Sequence, residues 1–190
     1  DTLLVYEMNG EPLPQAHGFP LRLLASGWYG MNSVKWLTGI HVLDHEFKGF
    51  YMTERYMTMN EPGSAVPYRY YTKLQVKSII TSPGPGEIVP ASGYNLAGAA
   101  WSGEEDIEEV EISTDGGETW DPVQKLHDRE AYSWDRWEHN WKPKAPGTYT
   151  LMCRATNVLG VTQPMEFPNP WDGRGYGNNM VFPFEVEVRD

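Results

Sequence analysis

Val110–Trp120 reads VEISTDGGETW. Val110 and Ile112 alternate with Glu109, Glu111 and Ser113, the period of a strand with one buried and one wet face. A turn signal follows at once: Asp115, Gly116 and Gly117 tolerate the backbone angles of a tight hairpin. The stretch therefore predicts a strand that doubles back and folds Trp120 onto the pair. Similar apolar runs flank it: LQVKSII (Leu74–Ile80), YNLAGAAW (Tyr94–Trp101), YSWDRWEHNW (Tyr132–Trp141), TYTLMCRAT (Thr148–Thr156) and VFPFEVEV (Val181–Val188). Gly- and Pro-bearing breaks separate them, among them SPGPG, SGEED, KAPG and NVLG.

Strands at this spacing over residues 67–190 predict an immunoglobulin-like β-sandwich. Residues 1–66 read differently. Their apolar runs, LLVYEM, PLRLLA and GIHVL, are short and broken by Gly and Pro, with no sustained helical period. We expect an irregular α+β segment, or β with long loops, there, the end of a domain whose body is absent, joined to the sandwich by a linker at MTMNEPGSAVP (Met57–Pro67). No internal repeat is visible.

Composition narrows the function classes. The chain has 190 residues, 40% of them hydrophobic, enough for one large or two small domains. Its net charge of −11 argues against general nucleic-acid binding. No apolar run approaches the roughly 20 residues of a membrane span. Neither a leader nor an initiator Met stands at the start, so the chain is expected to begin inside a longer protein. Cys153 is the single cysteine, which rules out an intrachain disulfide and predicts a core thiol.

Within this acidic chain, Pro12–Leu43 holds no Asp or Glu, but does hold His17, Arg22, Lys35 and His41 among Gly18, Gly27 and Gly30. Cations and backbone N–H groups near glycines can hold an anion, and missing carboxylates remove its competitors. The same cations could instead lay their stems along a sheet surface. Other patterns carry milder expectations. Ser113–Trp120 matches the Asp-box of sialidase-like propellers, but a propeller needs several copies and one is present, so a structural hairpin is expected. The carboxylates of SGEEDIEEVE should form a solvated face. IHVLDH brings His41, Asp44 and His45 close in sequence, yet it reads as strand, which separates the two imidazoles. The loop NPWDGRGYGNN (Asn169–Asn179) sets Arg174 between two glycines, a loop of functional kind.

Several of these stretches together resemble a known family. YEMNGEPLPQAHGFPLRLLASGWYGMNSVKWL is similar to the end of the molybdenum-cofactor domain of sulfite-oxidase-type enzymes. VKSIITSP, LAGAAWSG, VEISTDGGETW and the late RGY loop resemble the dimerisation domain that follows it. The resemblance implies a phosphate-bearing pterin dithiolene that holds molybdenum, contacted by His17, Arg22, Ser33, Val34 and Lys35, partly through backbone. It implies that Arg174 binds the substrate oxyanion, and that the thiolate ligand of the metal lies upstream, outside this chain, so that this chain alone is inactive. It further implies oxygen-atom transfer on a small oxyanion, sulfite first, a homodimer made by the sandwich, a separate electron acceptor and an extracytoplasmic, periplasmic location. Trp134, Trp137 and Trp141 are candidates for the dimer surface, although strand alternation equally predicts that some of them face the core. The competing class is a non-catalytic β-sandwich binding or dimerisation module.

Overall fold

A computed structural model of the chain describes residues 2–59, 65, 68–126, 130, 132–166 and 176–190. They fall into two compact units. The first runs to Leu74 and takes in Tyr176 and Gly177; the second runs from Gln75 and closes with Asn178–Asp190.

In the first unit, β1 (Thr2–Val5) leads into a hairpin of β2 (Glu7–Met8) and β3 (Glu11–Pro12). Asn9 and Gly10 turn it at positive φ, 55° and 81°, as a two-residue type I′ turn requires. The chain returns through β4 (Arg22–Ala25), antiparallel to β1 from Val5↔Arg22 to Thr2↔Ala25. The stretch that reads as a linker begins with β5 (Met57–Met59), which pairs with β6 (Tyr68–Tyr70). Residues after β6 stay with this unit because Tyr29 N–H donates to Thr72 O (2.8 Å) and Leu74 N–H to Gly27 O (2.8 Å). Buried Tyr71 is the anchor: its ring meets Tyr29 edge-on at 5.5 Å, and its hydroxyl donates to Tyr176 O at 2.6 Å. Gly177, at φ +71°, lies where a Cβ would run into the Tyr71 ring. Helix here amounts, among the described residues, to single turns at Gln15–His17, Gly30–Asn32 and Tyr51–Arg55. Ile40–Leu43 is not the strand its composition predicts. Val42 is 96% exposed, and β-branched residues favour strand only where a pleated surface packs against them.

The second unit carries β7 (Lys77–Ser82), β8 (Ile88–Pro90), β9 (Tyr94–Trp101), β10 (Ile107–Ser113), β11 (Asp121–Pro122), β12 (Gln124–Lys125), β13 (Asp135–Trp141), β14 (Gly147–Asn157) and β15 (Phe184–Arg189). Two sheets form, in the orders β11-β10-β14-β15-β8 and β12-β13-β9-β7. Pairing is antiparallel except between β15 and β8. Inward residues of both sheets, including Leu96, Val110, Ile112, Leu151 and Val186, share one core. The mainly β sandwich expected from the strand spacing is what forms.

Trp137 is the largest fully buried side chain. Its indole N–H donates to Ser78 Oγ at 3.1 Å, so the polar end of the ring is satisfied inside the core. Its cross-strand partner is Gly98, and a Cβ there would collide with the Trp137 ring and the Ile79 carbonyl. Trp141 lies on the same strand face and is also buried. The aromatic patch predicted from Trp134, Trp137 and Trp141 is thereby corrected: the strand period turns the last two inward. Only Trp134, 58% exposed, remains outside, stacked on Trp101 at 4.6 Å. Cys153, between Leu151 and Ala155 on an inward face, has its thiol pushed up to about 12 by desolvation and is a neutral core group.

The Asp-box is one structural hairpin. Ser113 Oγ donates to Asp115 Oδ1 (2.7 Å) and accepts from Gly117 N–H (2.8 Å); Thr119 donates to Asp115 through N–H (2.9 Å) and Oγ1 (2.5 Å). Ser113 is therefore buried, not on the wet face that alternation predicts. Outside the hairpin, the Arg154 guanidinium lies 4.2 Å over the Trp120 ring and its Nε donates to Glu111 at 2.6 Å. Most carboxylates of the neighbouring acidic run are exposed, as a solvated face should be.

Two outcomes are expected from this packing. Gly98→Ala should destabilise the sandwich by about 1–3 kcal/mol through overpacking against Trp137, read as a lowered denaturation midpoint. Hydrogen bonds from Thr119, then Ser113, hold the Asp115 carboxyl at about 2, below its usual 3.8. The folded-state pKa is depressed, so the stability it contributes is present above pH 3.8 and is lost as pH falls through about 2. Asp115→Asn should flatten the acid limb of a stability–pH curve between about pH 5 and pH 1 and leave the slope above about pH 5 unchanged.

Candidate functional site

The acid-free stretch folds around a single turn. Pro14 enters the Gln15–His17 turn with extended backbone, and Gly18 ends it in the left-handed region at φ 112°. That angle disfavours any residue with a Cβ. The missing Cβ would sit 3.1 Å from both Arg22 Cβ and Lys35 Cβ, so a glycine lets two cation-bearing backbones close on one point. Arg22 comes from the first residue of β4. Lys35 comes from a segment laid along β4, where Leu23 N–H donates to Val34 O and Leu37 N–H to Leu21 O, each at 2.8 Å. The preceding turn, Gly30–Asn32, is tied down by Asn32 Nδ2, which donates to Tyr29 O and Tyr71 O at 3.2 Å.

Carbonyls of the first turn are taken by these neighbours. Arg22 Nη1 donates to His17 O (3.1 Å), Lys35 Nζ to Ala16 O (2.8 Å) and Trp36 Nε1 to Gln15 O (2.9 Å). A guanidinium has five N–H donors and an ammonium three, so both cations keep donors in reserve. One is conspicuous: Arg22 Nε is buried and has no acceptor. An unpaired buried donor is costly, and an anion placed against it would remove that cost. Ser33 Oγ accepts Ala25 N–H at 3.0 Å, which leaves its own O–H to donate elsewhere. His17, Val34 and Lys35 are exposed. The structure thus brings His17, Arg22 and Lys35 to one turn, while Val34 and Ser33 lie on the neighbouring segment along β4, bonded to Leu23 and Ala25. The arrangement can bind an oxyanion.

His45 Nδ1 and Asp44 Oδ1 form an exposed pair at 2.8 Å, and among the described residues no three His, Cys, Asp or Glu side chains converge. Arg174 lies outside the described residues. Gly18 and Trp36 belong to the site but carry no charge, so a search for cations passes over them. The signal for Gly18 was its place, directly after His17 and ahead of Arg22.

Known proteins share these features. Residues 1–51 match the family model described as oxidoreductase molybdopterin binding domain, and residues 69–189 match the Mo-co oxidoreductase dimerisation domain. Sulfite oxidase of Gallus gallus is 33% identical over 185 residues, covering 92% of this chain and 40% of that protein. An NADH nitrate reductase of Ulva prolifera is 32% identical over 204 residues, covering 96% of this chain and 23% of the relative. Among solved structures, the sulfane dehydrogenase SoxCD of Paracoccus pantotrophus superposes with a TM-score of 0.84 at 26% identity, over 100% of this chain and 51% of that one. The chain spans well under half the length of the two curated relatives. Their cofactor family is molybdenum–molybdopterin. With residues 1–51 matched by the molybdopterin binding domain and residues 69–189 by the dimerisation domain, this chain belongs to the sulfite oxidase family of molybdopterin oxidoreductases.

Proposed function

We propose that this chain is part of an oxygen-atom-transfer enzyme and that its acid-free turn holds the anionic end of the molybdenum cofactor. The buried, acceptor-less Arg22 Nε carries the reading, because a cofactor phosphate would give that donor an acceptor, and Gly18 lets the Arg22 and Lys35 backbones close on the same turn. The cofactor, when bound, supplies two-electron oxygen-atom transfer. The chain's own residues bind and orient. Arg22 and Lys35 neutralise the phosphate, His17 adds a ring nitrogen, Ser33 a hydroxyl donor and Val34 backbone. The thiolate ligand of the metal is assigned to polypeptide beyond this chain, and Cys153, sealed in the sandwich core, cannot serve.

The reaction we propose is oxidation of sulfite with water to sulfate, releasing two electrons and two protons to a separate acceptor. Sequence likeness to sulfite oxidase supports sulfite as the substrate. Arg174, in the Gly-rich loop, is proposed to bind the oxyanion through its planar, bidentate guanidinium. Support for that place comes from the same loop's end, where Tyr176 and Gly177 pack on Tyr71 in the unit that carries the anion site. The sandwich is proposed to make a homodimer, supported by the dimerisation-domain match. An extracytoplasmic location is proposed on family resemblance, and cell fractionation tests it. No helix among the described residues is long and apolar enough to cross a membrane.

Two experiments on the complete enzyme test these assignments. Arg22→Ala and Lys35→Ala should each lower cofactor occupancy with little change in the melting temperature of the sandwich. Each loses a charge-assisted contact worth roughly 1.5–3 kcal/mol. Unchanged molybdenum content in both variants would remove the anion-site assignment. At matched metal loading, Arg174→Gln should lower kcat/KM for sulfite by roughly 10–100-fold, mainly through KM, with nitrate assayed alongside. Wild-type kinetics in that variant would return Arg174 to a structural role, and turnover of nitrate but not sulfite would overturn the substrate.

A further inference from the structure

We infer that Trp36 is a positioning residue that holds the Lys35 ammonium at the anion site, an inference that rests on the reading of that site as the seat of the cofactor phosphate. Trp36 is 54% exposed in this chain. Its backbone is left-handed at φ 54°, a conformation bulky residues avoid. Such strain persists where neighbours over-determine it, and it gathers at functional sites. The neighbours are visible: Val34 O and Leu37 N–H, one on each side, are both bonded to the chain around β4.

The ring makes two contacts, and each points at the same turn. Its N–H donates to Gln15 O, within the turn that carries His17. Its face lies 4.8 Å from Lys35 Nζ. The ammonium is therefore steadied twice, by one donor on Ala16 O (2.8 Å) and by the aromatic face, while its remaining donors stay available. A free lysine has four rotatable bonds to order when it meets an anion. A lysine already held on a ring has less to lose, so preorganisation raises affinity without adding a contact to the ligand.

A double-mutant cycle on the complete holoenzyme tests this. The measured quantity is the rate of cofactor release, followed by fluorescence of the oxidised pterin. Trp36→Leu should speed release roughly two- to fivefold, the range of an exposed cation–π contact. Trp36→Phe keeps the aromatic face and should restore most of the wild-type rate; both variants retain a side chain at the same left-handed position. In a Lys35→Met background, Trp36→Leu should have no further effect, because its action runs through Lys35. An equal effect of Trp36→Leu in both backgrounds would make Trp36 a structural residue and overturn the inference alone. If Lys35→Met itself leaves release unchanged, the anion-site reading falls and the inference falls with it.

Discussion

Arg22 and Lys35 are fixed against one turn because Gly18 has no Cβ. Two side chains of like charge do not gather without cause, and here backbone dictates the gathering: β4 delivers one cation, the segment alongside it delivers the other, and the carbonyls of His17 and Ala16 receive a donor from each. The bonds to neutral carbonyls leave the charges uncancelled. In a chain of net charge −11, keeping Asp and Glu out of Pro12–Leu43 preserves a positive potential that a few carboxylates would abolish.

The sandwich solves a different problem. At its centre Trp137 lies on Gly98 with its N–H on Ser78, a large ring whose polar atom has a partner and whose space is made by a glycine. Around it, Cys153 and the alternate residues of β10, β14 and β15 complete an apolar core. Nothing in that core asks for a cofactor. The side chains proposed to bind the cofactor belong to the first unit, a division consistent with function residing in sites carried on folds rather than in the folds themselves.

The sandwich was legible because alternation is a local signal. VEIST, YNLAGAAW and TYTLMCRAT each announce their own face, and the sheets assemble as those faces demand. The failures came where meaning is not local. Ile40–Leu43 has strand composition but no neighbour to pair with. Trp134, Trp137 and Trp141 read as one aromatic patch until the register turned two of them inward. Ser113 alternates as an outward residue, yet its hydroxyl is needed by the turn that follows. In the first unit, the cations and the Gly18 among them were legible from the acid-free stretch, whereas the contacts of Trp36 with Gln15 O and Lys35 were not, because they depend on the fold. Arg174 was legible as a loop residue of functional kind, and its role stays a proposal.

The central claim is that the cofactor phosphate sits on the donors gathered at Gly18. A holoenzyme structure, resolved well enough to place the cofactor phosphate, tests it directly. The account predicts phosphate oxygens at about 2.7–2.9 Å from nitrogens of both Arg22 and Lys35, with Arg22 Nε among the donors. A phosphate held elsewhere, with Arg22 and Lys35 bonded only to the carbonyls of His17 and Ala16, would contradict it.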